Sequence, residues 1–412
     1  MPAERKKPAA AQRWLTIVGI GEDGVEGLGD EAKLCIAQAE TVFGGKRHLA
    51  LVEGLVTGKS QPWPTPFDAG MQAVLALSGH RVCVLASGDP FCHGVGSTLA
   101  RHISADEMNV LPAPSAFSLA AARLGWPLPE TQTISLHGKP IDQIRPLLHP
   151  KTRILALTSD GDGPAAIARL LSELGFGPSR LTILEALGGP SERLISTRAV
   201  TFDAKNINPL NVLAIEVEST SEARILPLTP GMADDLFEHD GQITKREIRA
   251  VTLSSLAPKR GELLWDIGGG SGSISIEWML ADPSMRAIAV EASPERAARI
   301  GRNAVAGGVP GLIVVEGKAP AALAGLETPD AIFVGGGGTE PGVMDAAIDA
   351  LPSGGRLVVN AVTLEMEVLL LALHARLGGE LIRLAVSRTA PVGSMQGWRP
   401  AMPVTQWSWV KP

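Results

Sequence analysis

The chain contains no tyrosine, and its only three cysteines, Cys35, Cys83 and Cys92, fall in the first quarter of its 412 residues. Chemistry that needs a phenol is excluded throughout, and a cysteine nucleophile is excluded from the remaining three quarters. The cysteines form no CxxC pair and no even framework, which predicts a reducing compartment rather than a disulfide scaffold. Long apolar runs are missing too. The longest, Val368 to Leu373, is far short of the roughly 20 residues that span a bilayer. The polar start Met-Pro-Ala-Glu-Arg-Lys-Lys-Pro leads into no apolar signal segment. A soluble, cytoplasmic protein with no membrane partner is the expectation. Positive charge is scarce: 37 Lys and Arg against 43 Asp and Glu give a net charge of −6. A nucleic acid partner, which needs a basic face, is not expected, and any anionic ligand must meet local Lys and Arg.

What is present is a folded composition, with 45% hydrophobic residues and Gly and Pro at 46 and 31, below the level of low-complexity chains. At roughly 150 residues per domain, this length predicts two to three domains. Apolar runs at Leu15 to Ile20, Arg81 to Ala86, Arg153 to Thr158, Leu181 to Ala186 and Val212 to Val217 read as strands. Helical patterns at Glu31 to Val42, Met71 to Leu77, Phe117 to Leu124 and Ala165 to Leu174 alternate with them, which predicts βαβ units and mostly parallel sheets. A polar stretch with two prolines at 219–230 reads as a linker between units at 13–218 and 231–412. Thr244-Lys-Arg-Glu247 has the form of a capping box opening a helix. Strands are then expected at Leu263 to Ile267, Ala287 to Val290, Leu312 to Val315, Ala331 to Val334 and Arg356 to Val359, with an antiparallel hairpin in the Pro-rich tail.

Asp266-Ile-Gly-Gly-Gly-Ser-Gly272 follows an apolar strand and precedes a helical run. Gly268, Gly270 and Gly272 let the backbone turn tightly, and the helix start offers free amides to a ligand. A dinucleotide fingerprint would place its third glycine at 273, where this chain has Ser273. The spacing therefore favours S-adenosylmethionine over a nicotinamide cofactor. Glu291 ends the next strand, where a carboxylate can accept both ribose hydroxyls. The alternatives are that Asp266 only caps the loop, that Glu291 only faces solvent, and that Gly335 to Gly338 is a plain turn. The distal half has neither the Cys of a cytosine C5 enzyme nor an Asn/Asp-Pro-Pro-aromatic motif, which argues against base methylation.

Ser87-Gly-Asp-Pro90 followed by Gly94-Val-Gly96, the segment Pro112 to Ser115 leading into Ala-Ala-Ala-Arg-Leu-Gly-Trp-Pro, and Pro209-Leu-Asn-Val-Leu-Ala-Ile-Glu-Val resemble the tetrapyrrole methylases of cobalamin synthesis. Ser135-Leu-His-Gly and Glu185-Ala-Leu-Gly-Gly-Pro are similar to the branch that methylates C5. Leu228-Thr-Pro-Gly, Thr244-Lys-Arg-Glu and Asp266 to Glu277 resemble the decarboxylating C15 methyltransferases. Joined in this order, the chain from about Trp14 to its end resembles the fused, decarboxylating C5,15-methyltransferase family.

The resemblance implies an α/β architecture: an N-terminal two-lobed tetrapyrrole methylase fold, then a Rossmann-like class I S-adenosylmethionine methyltransferase fold with a C-terminal antiparallel hairpin. It implies two S-adenosyl-L-methionine sites. One would involve Gly88, Asp89, Pro90, Ser115 and Ala116. The other would involve Asp266, Gly268, Gly270, Gly272 and Glu291, with adenine recognised by backbone near Gly317 and Ala319, because Gly317-Lys-Ala-Pro320 stands where many such folds carry an acidic residue. Thr244, Lys245, His137, Arg388 and Arg399, with Gln396, are candidate substrate-facing residues for a small-molecule tetrapyrrole, and solvated or structural roles are the alternative for each. A metal site at Cys83, Cys92, His93 and His102 is not expected, since their spacing fits no compact ligand pair. A homo-oligomer is expected. Rival readings are a nucleic acid methyltransferase, a nicotinamide oxidoreductase and a non-catalytic S-adenosylmethionine sensor.

Overall fold

The structure, a computed structural model, describes residues 13–65 and 67–412. The chain divides into two compact units. The first takes in the described residues to Ile141 together with His149–Arg224, and the second takes in Asp142–Leu148 and Ile225–Pro412. No helix among the described residues is long and apolar enough to cross a membrane.

The first unit has two lobes. In one, β1 (Leu15–Ile20), β2 (Thr41–Gly44), β3 (Lys59–Pro62), β4 (Val82–Ser87) and β5 (Met108–Leu111) form a sheet of order β3-β2-β4-β1-β5. Every pairing in it is parallel. Helices α1 (Asp30–Gln38), α2 (Lys46–Leu51), α3 (Phe67–Leu75) and α4 (Val95–Leu99) connect its strands, and α5 (Ala116–Leu124) leads out of it. The helix expected over Glu31 to Val42 stops at Gln38, because Thr41, Val42 and Phe43 enter the sheet as β2. Val42 and Phe43 are buried there.

The second lobe corrects the expectation of mostly parallel sheets. Strands β6 (Thr131–Ser135), β7 (Arg153–Leu157), β8 (Arg180–Glu185), β9 (Arg193–Arg198) and β10 (Asn211–Glu216), with helix α6 (Gly163–Glu173), give the order β6-β7-β10-β8-β9. Only β6 and β7 run parallel; β10 lies antiparallel between β7 and β8, and β9 returns antiparallel on β8. The short β8–β9 connection permits an antiparallel return without a crossover helix, and the chain then passes over β8 to enter β10 on its other side.

In the second unit, α7 (Arg246–Leu256) precedes β11 (Leu263–Ile267), α8 (Ser273–Leu280), β12 (Arg286–Glu291), α9 (Pro294–Ala306), β13 (Ile313–Glu316), β14 (Ala331–Val334), α10 (Val343–Ala350), β15 (Arg356–Ala361) and α11 (Leu364–Leu377). Strands β16 (Glu380–Leu384), β17 (Ser387–Val392), β18 (Met395–Pro400) and β19 (Val404–Val410) complete it. The sheet order is β13-β12-β11-β14-β15-β19-β16, parallel except for β19. The near-continuous apolar strands are buried on both faces, with Trp265 and Ile332 on one side and Leu264 and Phe333 on the other. Strands β17 and β18 pair as the antiparallel hairpin expected in the tail. Strand order reverses between β12-β11 and β14-β15, and such a switch point opens a crevice at the strands' carboxyl ends.

The expected capping box is not formed. Lys245 takes the N-cap position of α7 with no side-chain cap bond. The Thr244 carbonyl accepts from Arg249 Nη1, and the Glu247 carboxylate accepts from Arg388 Nη2.

Candidate functional site

Each unit carries a cavity at the carboxyl ends of its strands. In the first unit, a cavity of about 380 Å³ is lined by Ser87, Gly88, Ser115, Ala116 and His137 among others, with Leu157, Leu184 and Val212 giving it an apolar wall. Gly88 adopts φ +54, and a Cβ there would lie 2.6 Å from the Pro114 carbonyl oxygen. The turn after β4 is therefore accessible to glycine alone at this position. Ser115 caps α5 by accepting from the Ser118 amide at 3.1 Å, and Ala116 opens that helix.

Asp89 and Pro90 do not line this cavity. The Asp89 carboxylate turns back to accept from the Phe91 amide at 2.8 Å, and Pro90 packs under Gly94 and Gly96. These two residues shape the loop. Beside it stands a polar cluster that sequence reasoning missed. Arg47 pairs with Glu22 and donates to Ser87 Oγ at 3.0 Å, and Ser87 Oγ lies 2.8 Å from His48 Nε2. Burial, aided by the Arg47 charge, pushes His48 down to about 4. A Lys-Arg-His run immediately after a strand end was the available signal.

The second unit's cavity, about 790 Å³, gathers Asp266, Gly268, Gly270, Glu291, Gly317, Ala319, Thr244, Lys245 and Arg388. Gly272 stands behind it as the N-cap of α8, close against Ile300. Asp266 is buried, and its Oδ2 accepts from the Ser275 hydroxyl at 2.7 Å and the Ser275 amide at 3.3 Å. Burial pushes this carboxyl up to about 6 against those bonds, and the charge of Glu291 adds to the rise. Glu291 receives the Gly270 amide on one oxygen and the Ser293 amide on the other, both at 2.9 Å. Each oxygen keeps acceptor capacity for a ligand. Gly270 holds φ +59, and a Cβ there would touch the Gln242 carbonyl oxygen at 3.6 Å. A glycine cradle above a carboxylate with spare lone pairs fits a nucleoside carrying ribose hydroxyls.

Residues 241–245 form part of the cavity wall beside the glycine loop, and the segment 231–245 that carries them is tied down by a buried ion pair. Arg249 Nε donates to Glu277 Oε1 at 2.6 Å with both side chains inaccessible, and Arg249 Nη2 donates to the Met232 carbonyl at 2.5 Å. Glu277 in turn accepts the Gly231 and Met232 amides at 2.7 and 3.0 Å. Further along, Asp240 meets Arg296 and Arg299 at 2.8 and 3.1 Å, and these bonds hold its carboxyl well below the usual range.

Every cation on this cavity wall is engaged. Lys245 faces Asp234 at 3.8 Å, Lys318 faces Glu340 at 3.1 Å, Arg296 faces Asp240, and Arg388 faces Glu247. Arg399 sits opposite Arg388 across the β17–β18 ladder and Gln396 opposite Pro391, both exposed and neither on the cavity wall.

Comparison with known proteins places both halves. A tetrapyrrole (corrin/porphyrin) methylase family model matches residues 14–202, and a precorrin methyltransferase domain model matches residues 235–411. A protein from Sinorhizobium sp., named precorrin-6Y C(5,15)-methyltransferase [decarboxylating], is 63% identical over 98% of both chains. A Mycobacterium tuberculosis protein of the same name is 42% identical over 96% of this chain and 100% of its own. Among solved structures, the C-terminal domain of precorrin-6Y C5,15-methyltransferase from Rhodobacter capsulatus shares 49% identity, covering 45% of this chain and all of its own, at a TM-score of 0.43. With full-length similarity of this degree on both sides of the fusion, the chain belongs to the decarboxylating precorrin-6Y C5,15-methyltransferase family.

Proposed function

We propose that the chain methylates precorrin-6B (precorrin-6Y in its relatives' names) at C5 and C15, using S-adenosyl-L-methionine at two sites. The ring C acetate is lost as carbon dioxide, and the product is precorrin-8 in corrin ring synthesis. Residues 13–218 would carry the C5 transfer and 231–412 the C15 transfer with decarboxylation, joined through 219–230. The observation that carries the reading is a glycine-lined cavity at the strand ends of each unit, in a chain whose family is named for both positions.

When bound, S-adenosylmethionine supplies a methyl group already activated on its sulfonium. Gly88, Ser115 and Ala116 would hold it in the first unit, on a loop shaped by Asp89 and Pro90. Asp266, Gly268, Gly270, Glu291, Gly317 and Ala319 would hold it in the second, with Gly272 starting the helix beneath. The residues then have to align the reacting carbons within about 3–3.5 Å and exclude water. A polycarboxylate substrate can exchange into the ion pairs at the cavity mouths, meeting Arg388 and Lys245 beside Thr244 in one and Arg47 near His137 in the other. Arg399 is placed to meet carboxylates that extend beyond the wall.

Mass spectrometry of the product formed from precorrin-6B tests this: two methyl gains and one carbon dioxide loss are expected, and an unchanged mass defeats it. Gly270→Val should remove the C15 gain alone, and Asp89→Ala the C5 gain alone. Self-association in the cytoplasm is part of the proposal, supported by the exposed apolar stripe Leu364, Val368 and Leu371 on α11. A monomeric sedimentation profile would remove that element.

A further inference from the structure

One side chain on the second cavity's wall is held in place more tightly than packing requires. Asn360 lies at the carboxyl end of β15 and lines the cavity. Directly across the ladder stands Gln406, which is buried, as is Thr252 on α7. Gln406 Nε2 donates to Asn360 Oδ1 at 2.8 Å and to Thr252 Oγ1 at 3.0 Å. Asn360 Nδ2 donates to the same Thr252 Oγ1 at 3.0 Å. Thr252 gives its own proton to the Ile248 carbonyl at 2.8 Å, and Ser255 Oγ donates to Gln406 Oε1 at 2.8 Å.

Counting donors settles the orientation. Thr252 Oγ1 has spent its only proton, so it must receive N–H groups from both amides. Gln406 has spent both its N–H groups. Asn360 has spent one of two, and its second N–H has no partner among the described residues. A network of four polar side chains, of which Thr252 and Gln406 are buried and Asn360 and Ser255 half-buried, is costly where its buried groups go unsatisfied. This one is satisfied at every position except the amide hydrogen on the cavity wall.

That hydrogen differs from the other donors around it. Lys245, Arg296, Lys318 and Arg388 each already face a carboxylate, whereas Asn360 is neutral and shares the cavity wall with the apolar residues Phe333, Val362 and Val404. A carboxylate that is to leave as carbon dioxide gives up its charge in the transition state. A strong cation would stabilise the ground state and slow that loss, while a fixed neutral donor orients the group without doing so.

We propose that Asn360 receives the substrate carboxylate that is lost, so that this amide, rather than any of the cavity's cations, positions the acetate for decarboxylation. The inference rests on the function proposed above. The carbon–carbon bond to the carboxylate breaks, and its electron pair enters the conjugated ring, which gaining a methyl at C15 leaves one pair short. Carbon dioxide departs, and the methylene carbon takes up a proton as the ring gives one up.

The test uses the full chain with S-adenosylmethionine and precorrin-6B. Asn360→Asp is nearly isosteric and keeps the acceptor for Gln406, but it replaces the free N–H by an oxygen; Asn360→Leu removes the amide altogether. Either variant should slow carbon dioxide release by about 10²–10³-fold while methylation continues, so that a methylated product heavier by one carbon dioxide accumulates. In the absence of the methyl donor, substrate binding measured by fluorescence should weaken more for Asn360→Asp than for Asn360→Leu, because the new carboxylate repels the acetate. Arg388→Ala should raise KM and still yield the fully decarboxylated product. Carbon dioxide release within twofold of wild type in both variants overturns the proposal, as does a carboxylated product from Arg388→Ala instead. If wild-type enzyme releases no carbon dioxide, it is the underlying function that fails.

Discussion

Asp266 sits where ligand binding and stability oppose each other. Its carboxyl is buried under the glycine loop and raised to about 6 by that burial. A carboxyl raised in the folded state favours its protonated form, so its contribution to stability is fully present below about pH 4. That contribution is lost as the pH rises through 6. Asp266→Asn keeps an acceptor for Ser275 and removes the charge. Its second unit should therefore be more stable than wild type by on the order of 2–3 kcal/mol at pH 7.5, with the difference shrinking toward zero at pH 4. Urea midpoints of the two proteins at both pH values check this, and an equal gap at each pH would sink it. Asp266 and Glu291 were legible in the sequence because a glycine loop after an apolar strand fixes where both strand ends fall. Asn360 was not, since its meaning depends on Thr252 and Gln406, which are distant in sequence and silent by motif.

At the scale of elements, legibility followed burial on both faces. Strands such as Leu15–Ile20 and Ala331–Val334 fell where the apolar runs placed them, because a parallel strand covered on both sides has no polar face to blur its limits. Patterns read from local chemistry fared worse. Thr244-Lys-Arg-Glu247 has the spacing of a capping box, yet α7 takes Lys245 and not Thr244 as its N-cap, and Arg388, distant in sequence, claims the Glu247 carboxylate. The antiparallel second lobe was missed for a related reason: strand direction is set by connections that leave no signature in the strands. The same motif does mark something real, the clamp of Arg249 and Glu277 on segment 231–245. Arg249→Met strands a buried carboxylate and should cost about 3–5 kcal/mol. It should also weaken S-adenosylmethionine binding in the second unit, because Gln242, Thr244 and Lys245 form part of that cavity's wall. Calorimetric melting and equilibrium dialysis would show this. A loss below 1 kcal/mol with unchanged affinity would mean that the clamp is incidental.

For the whole molecule, the scarcities of the sequence become choices of chemistry. A net charge of −6 does not disfavour a polycarboxylate ligand when the cavity cations come paired with carboxylates that can be exchanged. The absence of tyrosine and of distal cysteine leaves carbon methylation by alignment, which needs neither. Two glycine turns then offer independent ways to disable the chain. Gly88→Val meets the Pro114 carbonyl at a φ of +54, and Gly270→Val must adopt a φ of +59, costs that confine the damage to one loop each. If each unit completes its own transfer, a mixture of the two full-length variants should convert precorrin-6B to the doubly methylated, decarboxylated product that neither makes alone. The intermediate leaves one chain and is finished by the other, so its rate should rise with protein concentration. A mixture that yields only the two partial products would show that both transfers must occur on a single chain.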